Sequence, residues 1–474
     1  MTAKRVFISA DHGLAIVYFL QSDVVDTLLA GGAEVVLLTD DSLKEKITQR
    51  FGRPGLTIEG LRLKEARRYL QQEQTSQQWW LDFFRRAGPS RRMNLETVDN
   101  YVNWVEFEAP SKRKAIFPLV KATLGVLRRS KAARRKLIDL QKRFTPHIYG
   151  DLFERYQPDL VVASTAGWRL DRYLLREAAA RGITTGAIVL GWDNPSSHAL
   201  PGAQIDYISC WSEAQRQELV EGSDWAPERI HVGGIPSYDG YFENRWLMPR
   251  ADYFKLHNLD PQRKLLGYAC SFVTYSPNIQ NIAALARMVA SDRLAQPSQL
   301  LVRLHPNHFT GVKRWANERQ QIRALVNEHP HVHLVEPAPL GGELGYYSGE
   351  DMPEKSSMMA HSDVFLTVYS TMVVEACIHE TPIVSAVINS PSGWPGEYSL
   401  PLTEIGGWPT HSRFRESGAG KVAAGEAQLL QAINAYLQDP NLDRQAQRVF
   451  VKQECTYTDG SAGRCTGQYL LSIA

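Results

Sequence analysis

Asp363-Val-Phe-Leu-Thr-Val-Tyr-Ser-Thr-Met-Val-Val-Glu375 reads as a strand that runs straight into a helix. The apolar run Val364 to Val368 has the length and character of a buried strand. It stops at Tyr369-Ser370-Thr371, where a helical pattern begins and Ser370 or Thr371 can cap the new helix. Such a junction presents backbone N–H groups at the positive end of a helix dipole, which suits a phosphate. Glu375 follows inside the first turns, where it can accept hydrogen bonds from a sugar diol while the helix start holds a pyrophosphate. The same pattern also serves as a plain junction in a parallel sheet, so its neighbours decide the reading.

Outward from that stretch, strands and helices alternate. In the second half, strands are predicted at 265–270, 300–304, 333–335, 364–368 and 383–388, with helices near 279–289, 312–328, 353–360 and 427–437. The first half opens with a strand at 5–10, a helical segment to Ala30 and a strand at 34–38. After a long helical and charged insert, about 61–144, strands are expected at 159–163, 183–190, 207–211 and 230–232. Such alternation is that of an α/β protein with parallel sheets. The turn-rich run Gly233 to Gly240 reads as a hinge. The expected domains are therefore 1–240, 241–440 and a helical tail at 441–474.

The useful test is what each strand delivers at its carboxyl end, since open α/β sheets bind ligands there. In the second half these are Ser271 with Thr274 and Ser276, then Arg303-Leu304-His305-Pro306-Asn307, then Tyr369-Ser370-Thr371. Hydroxyls, a histidine, an arginine and a helix start suit a phosphate. In the first half they are Ser9-Ala10-Asp11-His12-Gly13, Ser164-Thr165-Ala166-Gly167-Trp168 and Gly191-Trp192-Asp193-Asn194-Pro195-Ser196-Ser197-His198. Asp11, His12, Asp193 and His198 are the good proton acceptors there, and a general base belongs among them. Turn chemistry is the plainer account of Asp193-Asn194-Pro195.

These motifs, in this order, resemble the GT-B fold: two facing Rossmann-like domains, here with a helical insert in the first and a C-terminal crossover helix. More narrowly they resemble bacterial transferases related to CDP-glycerol glycerophosphotransferases and to UDP-N-acetylglucosamine 2-epimerases. The likeness rests on Gly191-Trp192-Asp193-Asn194 with Ser196-Ser197, on Trp211-Ser212-Glu213 with Val232-Gly233-Gly234-Ile235-Pro236, and on Arg303-Leu304-His305-Pro306. It also rests on Tyr369-Ser370-Thr371 with Glu375, and on Asp459-Gly460-Ser461-Ala462-Gly463-Arg464. It spans about 159–470; residues 40–145 match nothing, and Pro195 and His198 depart from the family pattern. The resemblance implies a glycosyltransferase that moves a sugar or related group from a nucleotide-sugar donor to a surface polysaccharide or lipid-linked acceptor. It implies no cofactor and no required metal. The donor is expected at Ser271, Arg303, His305, Tyr369, Ser370, Thr371 and Glu375, and the catalytic base at Asp193, with His12 next. A sugar-nucleotide 2-epimerase and a non-catalytic nucleotide-sugar module are the alternatives. The epimerase needs several carboxylates around the sugar, and few acids stand at the strand ends.

Composition sets the frame. The 474 residues are 43% apolar and 22% charged, as in an ordinary soluble protein, and no run of about 18 apolar residues suggests a membrane span. Five cysteines without metal-ligand spacing and an N-terminus unlike a signal peptide point to the cytoplasm. The net charge of +2 hides a basic stretch. From Lys112 to Arg143 run a dozen cations, Arg128, Arg129, Arg134 and Arg135 among them, against the single acid Asp139. Apolar residues are interleaved. This composition suits a helix on an anionic membrane surface, which would put the protein at the inner membrane face; it also suits a solvated surface helix. A nucleic-acid patch is the third reading, but no nucleic-acid-binding signature accompanies it and no nucleic-acid partner is expected.

Overall fold

Two parallel sheets follow from the short, β-branched apolar runs, which need cover on both faces. The computed structural model of the chain describes residues 3–73, 75–341 and 349–474. It divides into two compact units. The first comprises Met1–Asp239, Leu340–Gly349 and Glu454–Ala474; the second comprises Gly240–Pro339 and Glu350–Gln453.

The first unit holds β1 (Arg5–Ser9), β2 (Glu34–Thr39), β3 (Leu56–Gly60), β4 (Leu160–Ala163), β5 (Thr184–Ile188), β6 (Tyr207–Cys210) and β7 (Ile230–Val232). Their order is β3-β2-β1-β4-β5-β6-β7, with every pair parallel. The second unit holds β8 (Lys264–Ala269), β9 (Ser298–Arg303), β10 (Val332–Val335), β11 (Val364–Thr367), β12 (Ile383–Ala386) and β13 (Lys421–Ala423), in the order β10-β9-β8-β11-β12-β13. These pairs too are parallel. In each sheet the strand order reverses beside the first strand, between β1 and β4 and between β8 and β11. Ligands bind such doubly wound sheets at this switch point.

Three expectations are corrected. The edge strands β3 and β13 escaped the pattern reading. The helix expected to run to Ala30 is two helices, Gly13–Leu20 and Val24–Ala30. The break is local chemistry: the Ser22 hydroxyl donates to the Tyr18 carbonyl and accepts the Val24 N–H, competing with the helical ladder. This pair bends by 44°, and among the described residues no single helix is long and apolar enough to cross a membrane.

The insert folds into helices between Leu63 and Gln141 around a core in which Phe83, Val98, Val102, Phe117, Val120, Leu124 and Leu137 are buried together with Leu200. Trp79 and Trp80 pack against that core. The basic stretch is not uniformly a surface. Arg134 is buried and binds Asp224 through Nε (2.6 Å) and Nη2 (3.0 Å). Arg128 donates from Nε to the Ala87 carbonyl and pairs with Asp99 at 2.8 Å. Arg128 ties the insert together, and Arg134 ties it to the residue that follows the helix Glu213–Ser223.

The helix Ala462–Ile473 lies against Val24–Ala30 because glycines let the backbones approach. A Cβ on Gly463 would come within 2.8 Å of the Asp23 nitrogen, and one on Gly467 within 2.6 Å of the Thr27 Cβ. Neither Asp459 nor Ser461 caps this helix with its side chain. The Asp239 carboxylate takes the Ala462 and Gly463 N–H groups at 3.2 and 2.7 Å. Arg464 pairs with Asp23 at 3.2 Å.

Candidate functional site

In the second unit the register brings three strand ends to one level. Ala269 of β8 pairs with Arg303 of β9, so Ser271 and His305 each stand two residues past a paired position. Leu366 of β11 pairs with Tyr268 of β8, so Tyr369 and Ser271 each stand three past theirs.

His305 starts the short turn Pro306–Phe309, and its Nδ1 accepts the Asn307 N–H at 3.1 Å. The neutral ring therefore carries its proton on Nε2, as a donor. Burial, helped by His308, holds the ring's pKa down to about 3, so it is uncharged at neutral pH. A buried polar chain fixes it. The His305 N–H donates to His308 Nδ1 at 3.1 Å, and His308 Nε2 meets Glu318 Oε2 at 2.9 Å. Glu318 also accepts the N–H groups of Asn278 and Ile279. Asn278 then clamps Ser271, accepting its N–H at 3.1 Å and donating to its carbonyl at 2.7 Å. The β8 and β9 loops are thus one bonded assembly.

At the end of β11, Tyr369 adopts φ +40°, a left-handed turn that is uncommon for a residue other than glycine. Its ring stacks on His411 at 5.1 Å, which holds the turn. The helix begins only at Met372, and its N–H is accepted by the Ser370 hydroxyl at 3.3 Å. Ser370 and Thr371 are partly exposed. Among the described residues no acceptor takes their backbone N–H groups.

Two expected donor ligands are already occupied. Arg303 is buried and gives its terminal nitrogens to Asp351, at 2.6 Å, and to Glu354. Glu375 is only 3% exposed, and its Oε2 takes both the Tyr241 hydroxyl (2.5 Å) and the Lys355 ammonium (2.6 Å). Tyr241 and Lys355 escaped the sequence reading, because neither sits in a recognisable spacing with Glu375. Asn278 and Glu318 escaped it for the same reason. His308 had a faint signal, three residues after His305.

In the first unit the switch point carries Asp11 after β1 and Ser164-Thr165 after β4. Asp11 Oδ1 accepts from Ser164 Oγ and Arg169 Nε, each at 3.1 Å. Asp171 accepts the Thr165 N–H and hydroxyl at 2.9 Å; burial, then the neighbouring Asp11, push its pKa well up. His12 caps the helix Gly13–Leu20, its Nδ1 accepting the Leu14 N–H at 3.1 Å. Burial and Arg169 lower its pKa to about 3. The ring expected as second choice of base is thus arranged to donate from Nε2.

Asp193 follows β5 in a fixed loop. Asn194 Oδ1 accepts the Gly191 N–H at 2.7 Å, and the Trp192 indole donates to Glu454 at 2.7 Å. Burial raises the Asp193 pKa, against a hydrogen bond from Ser197 that lowers it. The Ser197 hydroxyl also lies 2.7 Å from His198 Nδ1. His198 is held well below the ordinary histidine range by burial and then by Arg86, Arg85 and Arg169. Among the described residues no group of three or more His, Cys, Asp or Glu side chains is placed to hold a metal ion.

No protein-family model matches the sequence, and no curated protein matches it. Solved structures do resemble it. The UDP-GlcNAc 2-epimerase of Neisseria meningitidis, bound to UDP-GlcNAc, is 10% identical and superposes with a TM-score of 0.53 over 99% of this chain and 100% of that one. A glycosyltransferase from Rickettsia africae is 9% identical, with a TM-score of 0.52 over 100% and 99% of the two chains. Arabidopsis thaliana UGT89C1, complexed with quercetin, is 12% identical, with a TM-score of 0.50 over the whole of both. At these identities the likeness establishes the fold, which is α/β of the GT-B kind.

Proposed function

We propose that this GT-B chain is a glycosyltransferase that moves a sugar or related group from a nucleotide-activated donor to a saccharide or lipid-linked acceptor. The observation that carries this reading is the switch point of the second unit. There Ser271, His305 and the Tyr369–Thr371 turn share one level, with the Ser370 and Thr371 N–H groups untaken among the described residues. Neutral donors fixed in advance suit a diphosphate and the charge that grows on it as the glycosyl bond breaks. His305 Nε2–H, the Ser370 and Thr371 hydroxyls and their backbone N–H groups would bind it, with Ser271 as a lesser partner. Glu375 would meet the ribose or donor sugar with the oxygen that Tyr241 and Lys355 leave open. Arg303 would act by holding Asp351 and Glu354 in place.

The acceptor half of the reaction belongs to the first unit. Asp193 is our choice of base: burial makes its carboxylate more basic, whereas His12 is arranged as a donor. The acceptor hydroxyl gives its proton to Asp193, its oxygen bonds to the anomeric carbon, and the nucleoside diphosphate leaves. An epimerase would need several unengaged carboxylates, and Asp11 and Glu318 are both engaged.

The test is incubation with a panel of radiolabelled nucleotide sugars, with and without saccharide and lipid-linked acceptors. Nucleotide release that requires an acceptor is expected. An isomerised sugar without acceptor would establish the epimerase instead, and binding without turnover would establish a binding module.

A further inference from the structure

The helix Phe117–Leu127 has two apolar sides. Phe117, Val120, Leu124 and Leu127 are buried in the insert core. On the other side Ile116, Leu119 and Val126 are 43%, 71% and 65% exposed, with Ala122 and Thr123 exposed between them. Spacings of three and four residues put these five on one face. A helix that only covers a core presents polar residues outward; this one does not.

The rim is cationic. Lys112, Arg113 and Lys114 precede the stripe, and Arg129 and Lys131 follow it, all exposed. Lys121 pairs with Glu106 at 2.6 Å on the flank. Phe107, 47% exposed, lies under the Lys114 ammonium at 5.5 Å.

We propose that this face rests on an anionic phospholipid bilayer, with Leu119 and Val126 dipping below the headgroups and the flanking lysines and arginines binding phosphates. An apolar stripe edged with cations is matched by a surface that is anionic outside and apolar beneath. A second copy would bring two cationic rims together, and a nucleic acid would leave the leucine and valine uncovered. Arg128 and Arg134 take no part, because they are bonded within the fold.

Vesicle flotation tests this with phosphatidylglycerol-containing and pure phosphatidylcholine vesicles. The protein should float with the first at low salt, dissociate at high salt and ignore the second. Leu119→Ser with Val126→Ser should weaken binding roughly tenfold or more, by loss of buried apolar area. Lys112→Gln with Lys114→Gln and Arg129→Gln should weaken it roughly a hundredfold, since each cation near an anionic surface is worth about 1 kcal/mol. Both variants should keep the wild-type melting temperature and nucleotide affinity, so a failure of the transferase reading would not be mistaken for a failure here. Protein left in the supernatant with anionic vesicles at low salt overturns the proposal. So does binding indifferent to both variants, or a dimer in light scattering that Leu119→Ser and Val126→Ser dissolve.

Discussion

Replacing Ser370 and Thr371 together with alanine separates the donor site from the fold. The structural cost should be small. Among the described residues the one bond to either hydroxyl is the long 3.3 Å contact from the Met372 N–H to Ser370 Oγ, a weak cap worth about 0.5 kcal/mol. The turn itself is held elsewhere, by the Tyr369 ring on His411. The cost in binding should be larger. Each hydroxyl would donate to a charged phosphate oxygen, and such bonds contribute about 1.5–3 kcal/mol in favourable cases. The backbone N–H groups and His305 stay in the double variant and water fills part of the gap, so roughly 1–3 kcal/mol in all is expected. That is about a 5- to 150-fold rise in Kd. Calorimetric titration with a panel of nucleoside diphosphates measures it, beside a melting curve for each protein. Unchanged affinity in a variant that melts like the parent would refute the placement of the diphosphate at this turn.

Asp193→Asn should keep nucleotide affinity and lower turnover by about 10² to 10⁴, the usual contribution of a general base. Burial raises the Asp193 pKa above its ordinary 3.8, so in the parent turnover should rise with pH through that higher value, and the limb should vanish in the asparagine variant. His411 is buried and held to about 3 by burial and then Arg413, so it stays neutral in the folded state while the unfolded chain protonates it near 6.5. Stability should therefore fall as pH drops from about 6.5 towards 3, by up to about 1.4 kcal/mol per pH unit from this residue, and chemical denaturation of His411→Gln should show a shallower acid decline. Arg134→Ala should lose about 3 kcal/mol, the low end for a broken buried pair because Arg92 stays 3.6 Å from Asp224, while Arg135→Ala, at an exposed position, should lose less than about 0.5 kcal/mol in the same assay.

Both sheets were largely legible because inner strands such as β1, β2, β4 and β11 carry apolar runs bounded by turns. β3 and β13 were not. β3 is Leu-Thr-Ile-Glu-Gly, with only Ile58 buried, and β13 is three residues long; edge strands need little apolar surface and show little pattern. Strand-end residues such as His305 and Ser370 could be found because strand and helix signals meet there. Their supports could not. Glu318 reaches Asn278 across 40 positions and Glu375 reaches Tyr241 across 134, and a hydrogen bond over that span leaves no local trace. The basic stretch misled in a different way. Composition counted Arg128 and Arg134 with the surface cations, and only their bonds to the Ala87 carbonyl and to Asp224 show that these two hold the fold.

The glycine-lined contact between Val24–Ala30 and Ala462–Ile473 has a consequence for how the chain is made. Residues 454–474 belong to the first unit, yet they follow the whole of the second in the sequence. On the ribosome the β1–β7 sheet emerges first and waits, with the flank at Val24–Ala30 uncovered, while some two hundred further residues are translated. Contacts that close so late favour a folding order in which the later unit can finish before the earlier one. A released chain truncated just before Glu454 should therefore contain a completed second unit beside a first unit that proteases still cut.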